Sequence, residues 1–308
     1  MCTCLAFYGD NFLFGRNMDI EYSFGERAAY VPRDFALRFC AEREQRRHYS
    51  MFGVAAGDAD FPLFAEACNE KGLCAAGLNF PQSAFYAPAR AAGKHNVAPH
   101  ELIAWILGSC ESVAQARELL QNTQITGEKY KDISPAPLHW MIADAHGCIV
   151  VEPQKEGLQI YENRACVLAN EPPFPSQMHQ LGNYANLTAQ PPCGRFGRLA
   201  VRADWQGAGA YGLPGDAGSP SRFVRAAFSL HNAAKGEGVP HFFHMLASAE
   251  MVRGNVLLAD GTPDYTRYAC CIDPAAGMYY VRTYDSLSVR AFPYARECGG
   301  DRILFYAL

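Results

Sequence analysis

Residues 1–20 read MCTCLAFYGDNFLFGRNMDI, and this stretch decides how the fold begins. The runs CTCLAFYG at 2–9 and NFLFGRNMD at 11–19 are largely apolar and meet around a Gly-Asp-Asn sequence. Two such runs joined by a short turn of these residues are typical of a β-hairpin. The hairpin folds Arg16 and Asp19 back beside Cys2. The sequence therefore predicts a thiol, a guanidinium and a carboxylate close together at the start of the chain.

Beyond this hairpin, strand-like and helix-like segments follow one another in runs. Strands are predicted at 28–32, 35–40, 50–57, 72–80, 138–144, 148–153, 158–162, 165–170, 265–273, 277–285 and 287–292. The sequence DAHG at 144–147 predicts a hairpin turn between two of them. Helices are predicted at 99–110, 112–122, 175–182, 219–233 and 239–252. Strands, then helices, then strands predict an α+β fold of layers built on antiparallel sheets.

The composition limits the classes of partner. With 308 residues, of which 49% are hydrophobic, the chain can bury a sizeable core, and we expect one domain over 1–308. A net charge of −4 provides no basic surface for nucleic acid or for an anionic membrane. No apolar run is long enough to span a membrane, and residues 1–20 lack the basic start of a signal peptide. We therefore expect a cytoplasmic protein without nucleic-acid or membrane partners.

Cysteine is frequent in this chain. The 12 cysteines lie at positions 2, 4, 40, 68, 74, 110, 148, 166, 193, 270, 271 and 298. No two of them form a CxxC pair, which argues against zinc-ribbon and thioredoxin-like sites. Without a secretory segment, disulfides are not expected, so most of these cysteines are predicted to be small buried apolar residues.

Cys2 has a second interpretation besides a buried apolar residue. Its small side chain permits removal of Met1, which would leave a thiol and a free α-amine on one residue. An α-amine has a pKa of about 7.7–8.0 in model peptides, which suits a general base near neutral pH. Arg16 would favour the reactive thiolate, and Asp19 would accept a hydrogen bond from the amine. These residue types together favour nucleophilic catalysis.

Arg222 stands out in the predicted helix at 219–233. Ser219 is predicted to cap this helix, with Pro220 at its first helical position. A cation in the first turn opposes the helix dipole at a cost of about 0.3–1 kcal/mol. The helix dipole therefore disfavours Arg222 at this position, and residues that are locally unfavourable are typical of functional sites. The alternative is an arginine that faces solvent or stacks on an aromatic ring.

Several motifs resemble one known family when taken in order along the chain. They are MCT at 1–3, FGRNMD at 14–19, GLNFP at 77–81, PLHWMIAD at 137–144, LANEPPF at 168–174, LGNY at 181–184 and GLPGDAGSPSRFVRAAF at 212–228. Together they resemble the choloylglycine hydrolases, a family of N-terminal-nucleophile hydrolases that includes bile salt hydrolases and penicillin V acylases. The resemblance implies a four-layer αββα sandwich of two antiparallel sheets. It also implies amide hydrolysis by an N-terminal cysteine, no metal or cofactor, and a homotetramer.

The same resemblance assigns expected roles to individual residues. Cys2 matches the nucleophile, with its α-amine as the base, and Arg16 and Asp19 match the pair beside it. Asn170 matches the oxyanion-hole asparagine, Asn79 matches the position that completes that hole, and Arg222 matches a catalytic-site arginine. Glu171 departs from the family pattern, because members often have a small polar residue at that position.

The substrate is predicted less directly than the chemistry. The acylases tend to have a tyrosine at the position of Asn79, so GLNFP favours a bile salt hydrolase that cleaves glycine or taurine conjugates. An apolar wall suited to a steroid is predicted from six residues that could equally be core: Met18, Ile20, Tyr22, Phe24, Phe61 and Phe64. A penicillin V acylase or another N-acyl amide hydrolase is the alternative. A non-catalytic steroid- or lipid-binding protein is a third reading, which a retained Met1 would favour.

Overall fold

The structure, a computed structural model, describes residues 1–202, 205–294 and 299–308. Its strands are β1 Cys2–Tyr8, β2 Phe12–Asp19, β3 Glu26–Val31, β4 Met51–Ala56, β5 Leu63–Asn69, β6 Cys74–Asn79, β7 His95–Val97, β8 Thr123–Ile125, β9 Leu138–Asp144, β10 Gly147–Gln154, β11 Gly157–Glu162, β12 Val167–Leu168, β13 Arg195–Phe196, β14 Leu199–Ala200, β15 Val256–Leu257, β16 Pro263–Asp264, β17 Thr266–Asp273, β18 Met278–Thr283, β19 Arg290–Pro293 and β20 Leu304–Tyr306. Its α-helices are α1 Leu102–Ser109, α2 Val113–Gln121, α3 Phe174–Leu181, α4 Ser219–Asn232 and α5 Gly238–Ala247.

Two antiparallel sheets form the centre of the molecule. One has eight strands in the order β11-β10-β9-β6-β5-β4-β3-β20, and the other has six in the order β12-β1-β2-β17-β18-β19. Helices α1 and α2 pack on the outer face of the eight-stranded sheet, while α4 and α5 pack on the outer face of the six-stranded sheet. The predicted αββα sandwich is therefore confirmed.

The predicted N-terminal hairpin is present and occupies the middle of the six-stranded sheet. β1 pairs with β2 from Cys2 opposite Met18 to Tyr8 opposite Phe12, and β2 also pairs with β17. Because side chains alternate along a strand, Cys2, Arg16 and Met18 lie on one face, toward the other sheet. Asp19 lies on the opposite face of β2, toward α4 and α5. This alternation divides the polar residues of the hairpin between two layers.

Some element predictions are wrong. Residues 35–40 form no strand: Leu37 makes one isolated bridge to Gln45, and its side chain is buried beneath α1. The last predicted helix, at 239–252, ends at Ala247 in α5. Strand β5 was not predicted, because Glu66 and Asn69 make its pattern polar and a β-bulge breaks its alternation. The predicted turn at 144–147 is confirmed by the pairing of Asp144 with Gly147.

The cysteine prediction holds for most of the described positions. Eight cysteines are buried, at 2, 4, 68, 74, 110, 148, 270 and 271, whereas Cys166 is half-buried and Cys40 and Cys193 are exposed. Cys298 lies outside the described residues. Over 1–202, 205–294 and 299–308, no helix combines the length and apolar character that a membrane crossing requires.

Candidate active site

The contact between Cys2 and Arg16 is the centre of the candidate site. Cys2 is buried, and Nη2 of Arg16 lies 2.5 Å from its Sγ. The pairing of β1 with β2 produces this contact, because Met18 is opposite Cys2 and Arg16 is opposite Cys4. The thioether sulfur of Met18 lies 4.0 Å from the Cys2 Sγ on the same face. A cation placed against a thiol favours the thiolate, which is the nucleophilic form.

Arg16 is held in place from the eight-stranded sheet. Its Nη1 donates hydrogen bonds to the carbonyl oxygens of Gly77, over 2.5 Å, and Ala65, over 3.2 Å. The β-bulge in β5 places Ala65 between two paired residues and leaves its carbonyl available to Arg16. The side chain of Arg16 thus spans the gap between the two sheets.

Glu66 is a buried partner of Arg16 that the sequence did not reveal. Its Oε2 lies 3.8 Å from Nη1 of Arg16, and its carboxylate accepts hydrogen bonds from the hydroxyls of Tyr268 and Tyr279. Burial raises the pKa of Glu66, while Arg16 and the two tyrosines act in the opposite direction. Burial alone would lower the pKa of Arg16, but Cys2 and Glu66 raise it above its ordinary value. Arg16 therefore remains a cation.

Arg222 and Asp19 meet on the other face of the hairpin. Arg222 is fully buried, so the solvent-facing alternative is wrong. Its Nη1 donates to the carbonyl oxygen of Cys2 over 2.5 Å and to Oγ1 of Thr3 over 2.6 Å, and it lies 3.7 Å from Oδ2 of Asp19. Burial lowers the pKa of Arg222 and raises that of Asp19, and the attraction between the two opposes both shifts.

The backbone nitrogen of Cys2 is held by Asn170 and not by Asp19. It donates to Oδ1 of Asn170 over 2.8 Å. The structure includes Met1, whose amine donates to the backbone oxygen of Asp19 over 2.6 Å and to Oδ2 of Asp264 over 3.1 Å. In this chain, the carboxylate of Asp19 accepts instead from Oγ1 of Thr266 over 2.5 Å. With Met1 in place the Cys2 nitrogen is a peptide amide with one N–H, which is bonded to Asn170, so the bond from its free α-amine to Asp19 stays a prediction.

Asn170 joins three parts of the site. Its Oδ1 also accepts from Nη2 of Arg222 over 2.7 Å, and its Nδ2 donates to the backbone oxygen of Asn79 over 2.8 Å. Its backbone N–H donates to Oγ of Ser219 over 2.8 Å. Ser219 is therefore not the helix cap that the sequence predicted. Gly218 occupies the N-cap position of α4, and the Ser219 hydroxyl is used by Asn170.

The structure brings the predicted catalytic residues together, but Asn79 takes part through its backbone. Arg16 contacts the thiol of Cys2, and Asn170 contacts the backbone nitrogen of Cys2. Asp19 and Arg222 lie on the opposite face of the hairpin. Asn79 ends β6 with an exposed side chain, and it is the carbonyl of Asn79 that contacts Asn170.

The six predicted apolar residues separate into three environments. Met18 touches the Cys2 thiol, while Ile20 and Phe24 are half-buried against the same inner core, and Tyr22 is 56% exposed. Phe61 and Phe64 belong to the outer core beneath α1, so the prediction that they line a wall near Cys2 is wrong for them. The bulge at Ala65 turns Phe64 to the outer face of the sheet. Phe61 packs against Phe39 and His100 there.

One group in the described part of the chain has the composition of a metal site. Cys40, His100 and Glu101 place potential ligand atoms within 4.8 Å of one another at the start of α1. Both carboxylate oxygens of Glu101 already accept backbone N–H groups, from Cys40 and Ala98. Glu101 is thus satisfied without an ion, and the group lies in the outer helical layer, separate from Cys2.

Comparison with known proteins shows the family to which the whole chain is similar. The model of the choloylglycine hydrolase family, described as linear amide C–N hydrolases, matches residues 2–297. A bile salt hydrolase/transferase of Lactiplantibacillus plantarum is 40% identical over 94% of this chain and 91% of its own length. A bile salt hydrolase/transferase of Clostridium perfringens is 36% identical over 99% and 96%, respectively.

Solved structures give the same relationship. The crystal structure of a mutant conjugated bile acid hydrolase from Clostridium perfringens matches with a TM-score of 0.93 at 35% identity, covering 100% of this chain and 97% of that one. The penicillin V acylase from Agrobacterium tumefaciens matches with a TM-score of 0.76 at 20% identity over 95% and 86%. The second similarity is one of fold.

Proposed function

This chain belongs to the choloylglycine hydrolase family of linear amide C–N hydrolases, and we propose that it hydrolyses bile acids conjugated to glycine or taurine. Relatives that are 32–40% identical over nearly the whole chain are named bile salt hydrolases or conjugated bile acid hydrolases. The observation that carries the proposal is the contact of the Arg16 guanidinium with the buried Cys2 thiol at the end of β1.

Hydrolysis of the peptide bond between Met1 and Cys2 removes Met1 before the enzyme can act. The nitrogen of Cys2 then becomes an α-amine, and its hydrogen bond to Asn170 supports a fixed position beside the thiol. The amine takes the thiol proton, and the thiolate attacks the carbonyl carbon of the substrate amide. The resulting ammonium protonates the departing glycine or taurine nitrogen as the C–N bond breaks. This leaves the bile acid as a thioester on Cys2.

Hydrolysis of the thioester uses the same groups. The free amine removes a proton from water, and the hydroxide attacks the thioester carbonyl, so that the C–S bond breaks and the acid is released. In both steps the carbonyl oxygen becomes an oxyanion. Asn170 is the proposed donor, because its Nδ2 bears a second N–H beside the one bonded to Asn79. Asn79 is proposed to complete the oxyanion hole.

The protein is also proposed to form a homotetramer. Apolar side chains are exposed along the β13–β14 hairpin and the segment after it, at Phe196, Leu199, Trp205 and Tyr211, with Phe196 79% and Tyr211 80% exposed. Clusters of exposed apolar residues mark contact surfaces more often than ordinary surface. Light scattering on a sizing column should show a tetramer for the wild type. The double variant Phe196→Ser, Leu199→Ser should show a smaller species.

The activity is tested by side-by-side rates on glycocholate, taurocholate and penicillin V, measured as product release by mass spectrometry. Cys2→Ala serves as the blank and Cys193→Ala, at an exposed cysteine, as the matched control. Fast cleavage of either bile salt that is lost only in Cys2→Ala supports the proposal. Cleavage of penicillin V alone would assign an acylase activity. Intact mass must show that Met1 is gone, because retention of Met1 without cleavage of any substrate would favour the binding-protein alternative.

A further inference from the structure

Glu171, which departs from the family pattern, is hydrogen-bonded to the turn that follows β6. Its Oε1 accepts the backbone N–H groups of Gln82 and Ser83, each over 2.9 Å. Its Oε2 accepts the hydroxyl of Ser83 over 2.8 Å. Three donors converge on one carboxylate, and two of them are backbone groups. These bonds therefore fix the path of the chain at 82–83.

The two segments that Glu171 joins come from different sheets. The turn at 82–83 begins three residues after Asn79, which ends β6 in the eight-stranded sheet. Glu171 directly follows Asn170, which is two residues beyond β12 in the six-stranded sheet. A second link runs beside the first, from Nδ2 of Asn170 to the backbone oxygen of Asn79. A single hydrogen bond leaves two segments free to pivot, whereas two links side by side fix both their separation and their angle.

We propose that Glu171 is a positioning residue that sets the separation of Asn79 and Asn170, the two residues proposed to form the oxyanion hole. This inference rests on the proposed function. Catalysis by such donors depends on their being held at the position of the developing charge before the reaction.

Glutamine offers a discriminating substitution at this position. Its Oε1 can accept both backbone N–H groups, and its Nε2 can donate to the Ser83 hydroxyl. Glu171→Gln thus keeps the link and removes the charge, whereas Glu171→Ala removes both. Glu162→Ala is the matched control, because Glu162 is a largely exposed glutamate on β11 that pairs with Arg164.

The test compares kcat and KM for glycocholate in the four proteins, with active sites counted by iodoacetamide labelling of Cys2 and peptide mass spectrometry. Misplaced catalytic groups lower rates by up to about 100-fold, so Glu171→Ala should lose about ten- to hundredfold in kcat. Its KM should change by less than about twofold, since substrate contacts remain. Glu171→Gln should stay within about threefold of wild type, and Cys2 labelling should be equal in all four.

Three results would overturn the inference while leaving the proposed function intact. These are an unchanged kcat in Glu171→Ala, an equal loss in Glu171→Gln, or a loss explained by fewer labelled sites. A crystal structure of Glu171→Ala gives a readout besides activity: the 2.8 Å separation of Asn170 Nδ2 and Asn79 O should lengthen. A wild-type protein that cleaves no conjugated bile acid would instead reject the proposed function and the inference with it.

Discussion

Nη2 of Arg16 lies 2.5 Å from Sγ of Cys2, so one buried guanidinium stands directly against the candidate nucleophile. The other terminal nitrogen of Arg16 is fixed by carbonyl groups of the eight-stranded sheet. The cation proposed to activate the thiol is therefore positioned by the sheet opposite to the one that carries the thiol. The spacing of the two sheets thus sets the distance between the Arg16 guanidinium and the Cys2 thiol.

Arg16→Lys should show that this bridge needs a guanidinium. Lysine keeps the charge but is a single point donor, so it cannot reach the Cys2 thiol and the Gly77 carbonyl with two separate nitrogens. Loss of a hydrogen bond to a charged group costs about 1.5–3 kcal/mol. This corresponds to roughly a ten- to hundredfold lower kcat/KM. The alkylation rate of Cys2 by iodoacetamide should fall in parallel.

Arg164→Lys is the control for that experiment, because Arg164 is an exposed arginine with a surface ion pair to Glu162. It should leave both rates unchanged. A Cys2 alkylation rate in Arg16→Lys equal to that of the wild type would mean that charge alone, without the forked geometry, activates the thiol.

Asn170→Ala should lower kcat far more than it changes KM. Removal of one oxyanion donor typically costs about 2.7–4 kcal/mol in the transition state, or about 100- to 1,000-fold in kcat. The substitution also leaves the Cys2 nitrogen and Arg222 without the oxygen that both contact. Steady-state kinetics on glycocholate check this, with Asn232→Ala, an exposed asparagine at the end of α4, as the control. An increase confined to KM would assign Asn170 to substrate binding.

Much of this site could be predicted from the sequence because its residues are close along the chain or stand out locally. Cys2 and Arg16 belong to one hairpin, whose turn and apolar runs are both local signals. Arg222 attracts notice because a cation is unfavourable in the first turn of a helix. Asn79 and Asn170 carry no such signal, and only the resemblance to a family identified them.

The residues that sequence reasoning missed are defined by tertiary contacts. Glu66 lies in β5, which was not predicted as a strand because Glu66 itself makes the sequence pattern polar. Only the packing of the two sheets brings Glu66 to Arg16. The bulge at Ala65 reverses the face on which Phe64 lies, and no local pattern in the sequence indicates that register shift. Ser219 has the residue type of a helix cap, but its hydroxyl is bonded to Asn170 from a different part of the chain.

Ser219→Ala should therefore affect catalysis as well as folding. The substitution leaves the backbone N–H of Asn170 buried without its acceptor, which costs about 1–3 kcal/mol of folding stability. Because that N–H anchors Asn170, kcat should fall as well. Chemical denaturation and steady-state kinetics on the same preparation measure the two effects. Equal kcat per labelled Cys2 in the variant and the wild type would reduce Ser219 to a purely structural role.

His100 should make the stability of the protein depend on pH. It is largely buried at the start of α1 against Phe61 and Tyr130, and burial lowers its pKa from 6.5 to about 4. Between these values the unfolded chain binds a proton that the folded chain does not, so folding stability is lost as the pH falls from 6.5 toward 4. In His100→Gln, which cannot titrate, the loss of unfolding free energy between about pH 7.5 and pH 5 should be smaller by about 1–2 kcal/mol.

Urea denaturation at both pH values measures this difference in unfolding free energy, and His146→Gln, at an exposed histidine, should behave as the wild type. Parallel pH dependence in His100→Gln and the wild type would show that His100 takes up its proton equally well in the folded protein.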